Sequence, residues 1–310
     1  MRKLLRRAAL FSLVLAAWPV HALPAQEKPL ARTFVSGSEE RFQITATIRI
    51  ETHGVSTEKI GEKTYVNPFK HEAAGQLSWR SVRRISSVAP DGTATIEESL
   101  DQFRASCSQP SGGAAADPAL QNSVQELCSR WQNLSRMTYQ EEIHGQFHGM
   151  PEAANQLAGP DSPFASLWLR RALRPSVVLP KTPIHFGSSL SHSSGANTPE
   201  SSKPAGSETI EWMEGRTDPP SVILHVTQNL SWKEESRGGA GHSKNLLPPA
   251  KITFYADALH TISLVDASVL SASRSASYER RQILDPVPGL PEAPEFGSKL
   301  TITVTILRLP

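Results

Sequence analysis

Residues 299–309 read Lys-Leu-Thr-Ile-Thr-Val-Thr-Ile-Leu-Arg-Leu, and their alternation decides the fold class. Leu300, Ile302, Val304 and Ile306 take every second position, with Lys299, Thr301, Thr303 and Thr305 between them. A period of two puts the aliphatics on one face of a strand and the hydroxyls and lysine on the other. Thr, Val and Ile also suit a pleated, half-buried surface. One such strand cannot bury its face alone, so the rest of the chain must supply a sheet and a cover. Arg41–Glu51 repeats the design, with Phe42, Ile44, Ala46, Ile48 and Ile50 on one face, and the two strands are expected to pair.

Between these ends the chain carries further β signals. Gly75–Val88 and Thr93–Arg104 flank Ala89-Pro90-Asp91-Gly92, and Asp-Gly between two β-type runs predicts a hairpin. Ala94, Ile96 and Leu100 give its second arm an inner face, while Glu97, Ser99 and Asp101 point out. Met137–His148 reads as a strand and turn. Glu208–Glu214 and Ser221–Lys233 read as strands around Asp218-Pro219-Pro220. Lys251–Asp257 and His260–Val265 predict a hairpin about Ala258, followed by weaker alternation through Ser268–Leu284. The polar stretch His53–Ala74 reads as a loop or short edge strand. Asp285–Pro294, with four prolines, reads as an extended linker that bypasses the sheet.

Two helices interrupt the β pattern. Asp117-Pro118 supplies an N-cap and a proline at the first helical position, and Leu120, Val124, Leu127, Trp131 and Leu134 follow at helical spacing. Asp161-Ser162-Pro163 opens the second helix, Phe164–Leu173, and Arg174-Pro175 ends it, because the residue before proline is pushed out of the helical region. The expected fold is therefore α+β and mostly antiparallel β. It is a large curved sheet or half-barrel, as one sheet or two β lobes, with two packed helices between β blocks.

The first residues predict export. Arg2, Lys3, Arg6 and Arg7 precede the apolar run Ala8–Trp18, and Val20-His21-Ala22 supplies the small residues of a cleavage site. Cleavage is expected after Ala22, with Ala25 as second choice. The run is too short to span a bilayer, and no later stretch approaches the length that would. Losing four cations and no acids takes the formal +2 of the whole chain to about −2 in the mature form. No basic stripe points to nucleic acid or an anionic membrane surface. The expected organisation is a signal peptide at 1–22, an N-terminal β block with both helices at 23–187, and a Ser/Gly/Pro-rich loop at 188–206. A C-terminal β block at 207–310 completes the chain, as its own lobe or joined to the first block.

Cys107 and Cys128 are the two cysteines, and in an exported chain an isolated pair reads first as a disulfide. Closing a loop of about 20 residues contributes about 3 kcal/mol in the chain-entropy model. No catalytic, metal or cofactor residues are assigned. His144 and His148 lie four apart beside Glu141 and Glu142, but Gly145 and Gly149 argue against the helix a zinc pair needs. Ser56-Thr57-Glu58-Lys59 matches Ser-x-x-Lys without the companion motifs of acyl-transfer enzymes. Ser188, Ser189, Ser191, His192 and Ser193 cluster in a loop-like stretch that lacks Gly-x-Ser-x-Gly. Glu97 and Glu98, or Glu234 and Glu235, are neighbours on strands and so face opposite sides. Trp79, Trp131, Trp168, Trp212 and Trp232 sit among aliphatics at packing periods and read as core before cavity lining. The Phe164–Arg174 helix reads as a packed surface helix before a lid or membrane dock.

The passage Leu179-Pro180-Lys181-Thr182-Pro183-Ile184-His185-Phe186-Gly187 resembles an element of exported bacterial β-rich proteins of unknown function. There, prolines lead to glycine, then aspartate and tryptophan, where this chain has Ser188 and Leu190. Helices enclosed between two antiparallel β blocks are also similar to the half-barrel lipoprotein carriers, which hold acyl chains. The resemblance implies a binding role, and the long amphipathic strands, the enclosed helices and the lack of a catalytic constellation lead to the expectation of an exported, non-enzymatic β domain that binds an apolar ligand or an envelope partner protein. The alternatives are an envelope interaction protein with a filled core and, more distantly, a hydrolase using His144 or His192 near a carboxylate. A ligand site requires a pocket of about 300 Å³ or more.

Overall fold

A computed structural model describes residues 29–60, 63–108, 117–151, 154, 163–194, 204–234, 249–284, 286 and 293–310. The leader 1–22, the Arg237–Ser243 break and most of the 285–294 linker lie outside the described residues. Among the described residues, eleven antiparallel strands form one open, curved sheet. They are β1 (Glu39–Ile60), β2 (Lys63–Val88), β3 (Ala94–Ser108), β4 (Arg136–Glu141), β5 (Phe147–His148) and β6 (Ser189–Ser194). The rest are β7 (Ala205–Thr217), β8 (Pro220–Glu234), β9 (Ala250–Ser263), β10 (Val269–Ile283) and β11 (Glu295–Leu309). The two helices are α1 (Pro118–Asn133) and α2 (Pro163–Ala172).

The order across the sheet is β5-β4-β3-β2-β1-β11-β10-β9-β8-β7-β6. First and last strands pair at its centre, with Ile44 opposite Ile306 and Ile48 opposite Ile302, as their matched alternation predicts. Each half then grows outward by successive neighbours, leaving β5 and β6 at opposite edges. The chain must therefore cross the whole sheet between His148 and Ser189. That crossing carries α2 and the strap 173–184 over the concave face, where Leu169, Ala172, Leu173, Leu179 and Ile184 are buried.

Alternation sorts the two faces. Phe42, Ile44, Leu77, Trp79, Ile96, Val222, Leu224, Ile302, Val304 and Ile306 are fully buried on the concave side. Burying each such side chain contributes about 1.5–3 kcal/mol. α1 starts as the sequence predicts, with the Asp117 carboxylate accepting from the Ala119 N–H, and it buries Val124, Leu127, Cys128 and Trp131. A second apolar cluster, with Leu230, Trp232, Ile252 and Phe254, occupies the concave side of β8–β10.

Four expectations are corrected. Of the 53–74 stretch, residues 53–60 and 63–74 are not a loop but lie on β1 and β2, and from His53↔Lys70 to Ile60↔Lys63 they form the outer half of the hairpin. None of residues 53–56 and 65–70 is buried, because the hairpin extends past the core that the strands cover. Ala258 makes no turn: β9 runs unbroken, and the reversal falls at 264–268, where Ser268 donates to the Asp266 carboxylate. Part of the 188–206 stretch is edge strand β6, paired to β7. β10 and β11 are neighbours, so the proline-rich segment joins adjacent strands rather than bypassing the sheet, and Leu284 N–H donates to the Pro294 carbonyl.

Candidate functional site

Charged residues occupy inward positions in a row across the concave face. The register sets Glu40 opposite Arg83, Arg83 opposite Glu98, and Glu98 opposite Met137. Arg83 donates to Glu40 (3.1 Å), to the Tyr139 hydroxyl (3.2 Å), to the Pro175 carbonyl (3.2 Å) and to Glu141. Tyr139 donates in turn to Glu98 at 3.0 Å, and Ser81 donates to the other Glu98 oxygen at 2.6 Å. Arg32 of the N-terminal strap donates to Glu40 at 2.8 Å. Arg174 Nε lies 3.3 Å from Glu98 as an ion pair outside hydrogen-bond geometry. Its guanidinium sits over Tyr139, Trp131 and Phe147 at 5.1–5.8 Å.

Three arginines and three glutamates, all buried, thus balance one another. Burial alone would raise the Glu40 carboxyl, but the Arg83 and Arg32 charges outweigh it and hold it below the usual range. Burial likewise opposes the Arg83 charge, and Glu141, Tyr139, Glu40 and Glu98 raise its pKa well above normal. Burial pushes the Tyr139 hydroxyl up, so it remains a donor. The network latches strap 29–38 and the crossing chain to the sheet; its charges are consumed by one another.

Beside it, α2 ends on a buried cation. Arg274 of β10 donates to the carbonyls of Arg171 (2.9 Å), Ala172 (2.8 Å), Arg174 (2.7 Å) and Ser176 (2.5 Å). A helix C-terminus carries partial negative charge and unpaired carbonyls, so an arginine is favoured there. A cleft of about 160 Å³ opens next to this cap, between α2 and β8–β10. Trp168, Ala172, Val177, Val226, Ala256 and Ala258 form its apolar part, and Arg274 and His260 close one end. Burial, then the Arg274 charge, pulls the His260 pKa well below 6.5, so the ring is neutral at pH 7. Gly145 also lines the cleft: at φ +78° its position admits no side chain, because a Cβ would fall 1.9 Å from the Val177 carbonyl oxygen. A larger hollow of about 810 Å³ lies against the outward residues of β8–β11. Its lining mixes charged side chains, with Arg281 paired to Glu279 and Glu295, and the apolar Pro249, Ala250 and Ile283.

The sequence-flagged groups do not converge here. His144 lies in the β4–β5 turn, and His148 pairs with Glu142 at 2.5 Å on the surface. Ser56 and Lys59 lie on strand β1, so the helical-turn spacing of Ser-x-x-Lys is absent. His192 is exposed on the edge strand. Among the described residues no three metal-ligating side chains gather. Trp79 and Trp131 are core, with rings 5.5 Å apart, while Trp168 alone of the five flagged tryptophans lines the cleft. Cys107 and Cys128 are free thiols, the first exposed and the second buried. Both flank Gly75: Cys107 is its cross-strand partner, and Cys128 Sγ lies 3.7 Å from where a Gly75 Cβ would be. Sequence reading missed Glu40, Arg83, Arg274 and His260, and it met Glu98, Glu141 and Arg174 without assigning them to a network. The available signal was a charge at an inward strand position, as with Glu98 between Ile96 and Leu100.

No protein-family model and no curated protein matches the sequence. Among solved structures, one of lipovitellin, titled for its lipid–protein interactions, aligns over 89% of this chain and 25% of its own at 9% identity, with a TM-score of 0.42. The Vibrio cholerae type IV competence pilus secretin PilQ aligns over 87% of this chain and 60% of its own at 10% identity, with a TM-score of 0.18. The Salmonella injectisome secretin InvG aligns over 87% of this chain and 61% of its own at 11% identity, with a TM-score of 0.14. The chain spans about a quarter of the lipovitellin chain and under two thirds of either secretin.

Proposed function

We propose that the chain is an exported, non-enzymatic binding domain whose cleft beneath α2 receives the apolar part of a small ligand. The carrying observation is the cleft itself: apolar side chains from α2, the strap and β8–β9 converge on an open volume of about 160 Å³. That is below the roughly 300 Å³ of a pocket that swallows a whole drug-sized ligand. It is close to the roughly 150 Å³ of an apolar cavity that takes up benzene. The site thus suits a ring or a chain of about six carbons. Export follows from the Arg2–Arg7 charges and the Ala8–Trp18 run, and the proposed location is the periplasm or the medium. No helix among the described residues is long and apolar enough to cross a membrane.

The test is a toluene titration followed by methyl NMR. The expected result is saturable shifts confined to Val177, Val226, Ala256 and Ala258. Uniform or absent shifts would favour the second reading, an envelope interaction domain with a filled core. That reading draws on the tight filling of the concave face elsewhere, where Phe42, Ile44, Leu77, Trp79 and Trp131 leave no exposed surface.

A further inference from the structure

Resting on the cleft reading above, we infer that its occupant is a small monocarboxylate, with the anion at Arg274 and His260 and the apolar tail along Trp168, Val226 and Ala256. Among the described residues every other buried arginine meets glutamate: Arg32 meets Glu40, Arg83 meets Glu40 and Glu141, and Arg174 meets Glu98. Arg274 is buried to 7% exposure and pairs with no carboxylate among the described residues. Its carbonyl partners at the end of α2 supply about half a negative charge, so its own full charge is left unbalanced. An unbalanced buried ion is costly, and a bound carboxylate would offset that cost.

A second polar group at the same end is also unmet. His260 is 4% exposed and lines the cleft, and its Nδ1 has no hydrogen-bond partner. Arg274 Nε is likewise without an acceptor. Burial takes the Arg274 pKa down to about 9, which leaves it charged at neutral pH. The other charges at the cleft are accounted for. Asp257 holds His225 at 3.0 Å, Glu208 accepts from Gln228 at 3.3 Å, and Arg171 adds a further positive charge at the rim. This end of the cleft therefore holds a cation whose acceptors are all uncharged carbonyls, beside an unmet ring nitrogen and the apolar wall of Trp168, Val226 and Ala256, which suits a carboxylate carrying a short tail.

The probes are hexanoate and 1-hexanol, equal in carbon number, titrated calorimetrically into the mature chain and into Val226→Trp, which fills the tail region. Hexanoate should bind at least about tenfold more tightly than hexanol, the factor expected of a charge-assisted hydrogen bond, and Val226→Trp should abolish both. Equal affinity for the two, lost in Val226→Trp, would overturn the anion assignment and leave the apolar cleft standing. No binding of either, or binding that Val226→Trp leaves unchanged, would overturn both.

Discussion

Replacing Arg83 by methionine removes the centre of the buried network while keeping most of its volume. Glu40 retains Arg32, and Glu98 retains Arg174, Ser81 and Tyr139, but Glu141 loses the one partner it has in the network. Glu141 is 1% exposed, so its charge stays in the interior without compensation. Breaking a buried pair from one side costs about 3–5 kcal/mol. With a urea slope of about 3 kcal/mol per molar, the unfolding midpoint should fall by roughly 1–1.7 M. The double variant Arg83→Met/Glu141→Met leaves two arginines and two glutamates, again balanced, and should recover about 2–3 kcal/mol of that loss. Arg41→Met, on an exposed pair with Glu39, is the control and should cost less than about 1 kcal/mol. Urea unfolding followed by tryptophan fluorescence and far-UV circular dichroism reads all three. Equal losses in Arg83→Met and Arg41→Met, or additivity in the double variant, would refute the balanced-network account.

Further outcomes follow from named positions. Gly145→Ala should destabilise by clearly more than Gly37→Ala, measured by the same denaturation. Both have positive φ, worth about 1–2 kcal/mol against alanine, but a Cβ at Gly145 also meets the Val177 carbonyl while one at Gly37 meets nothing within 4 Å. Stability should fall with acid in two stages. His260 has a folded pKa below 6.5, so the unfolded chain takes up that proton first, and its contribution is present above 6.5 and lost as pH falls. Glu40 is depressed from 4.5 and adds a second loss below that pH. A melting temperature that stays flat from pH 7 to pH 5 would contradict the first stage. Finally, we propose that the thiols flanking Gly75 become a disulfide on export; thiol titration of the unfolded, unreduced mature chain should find none, and two reactive thiols would count against the bridge. Burial raises the Cys128 thiol to about 11, so Cys107 would be the reactive partner.

Much of the fold was legible because period-two alternation reports burial directly. The central β1–β11 pair follows from two matching strands, and the Asp91-Gly92 hairpin follows from turn chemistry, with Gly92 at φ +86°. Polarity misled where it reported something other than a loop. Residues 53–60 and 63–70 are rich in polar side chains because the hairpin outreaches its core, and the serines and His192 of 189–193 are exposed because β6 is an edge. The site was less legible. Glu98 and Arg274 are inward-pointing charges, detectable as breaks in apolar alternation, but their partners lie 41 or more residues away except for Ser81. Which charge meets which depends on sheet order and on the path of the crossing chain, and local pattern encodes neither.

Native mass spectrometry of the mature chain, recovered from an exporting host without detergent, tests the binding account most directly. The account predicts a stoichiometric small-molecule adduct that organic extraction removes, and whose fragment is a carboxylic acid of about six carbons at the cleft. A bare chain in every preparation, with no adduct after incubation with excess hexanoate, would contradict it.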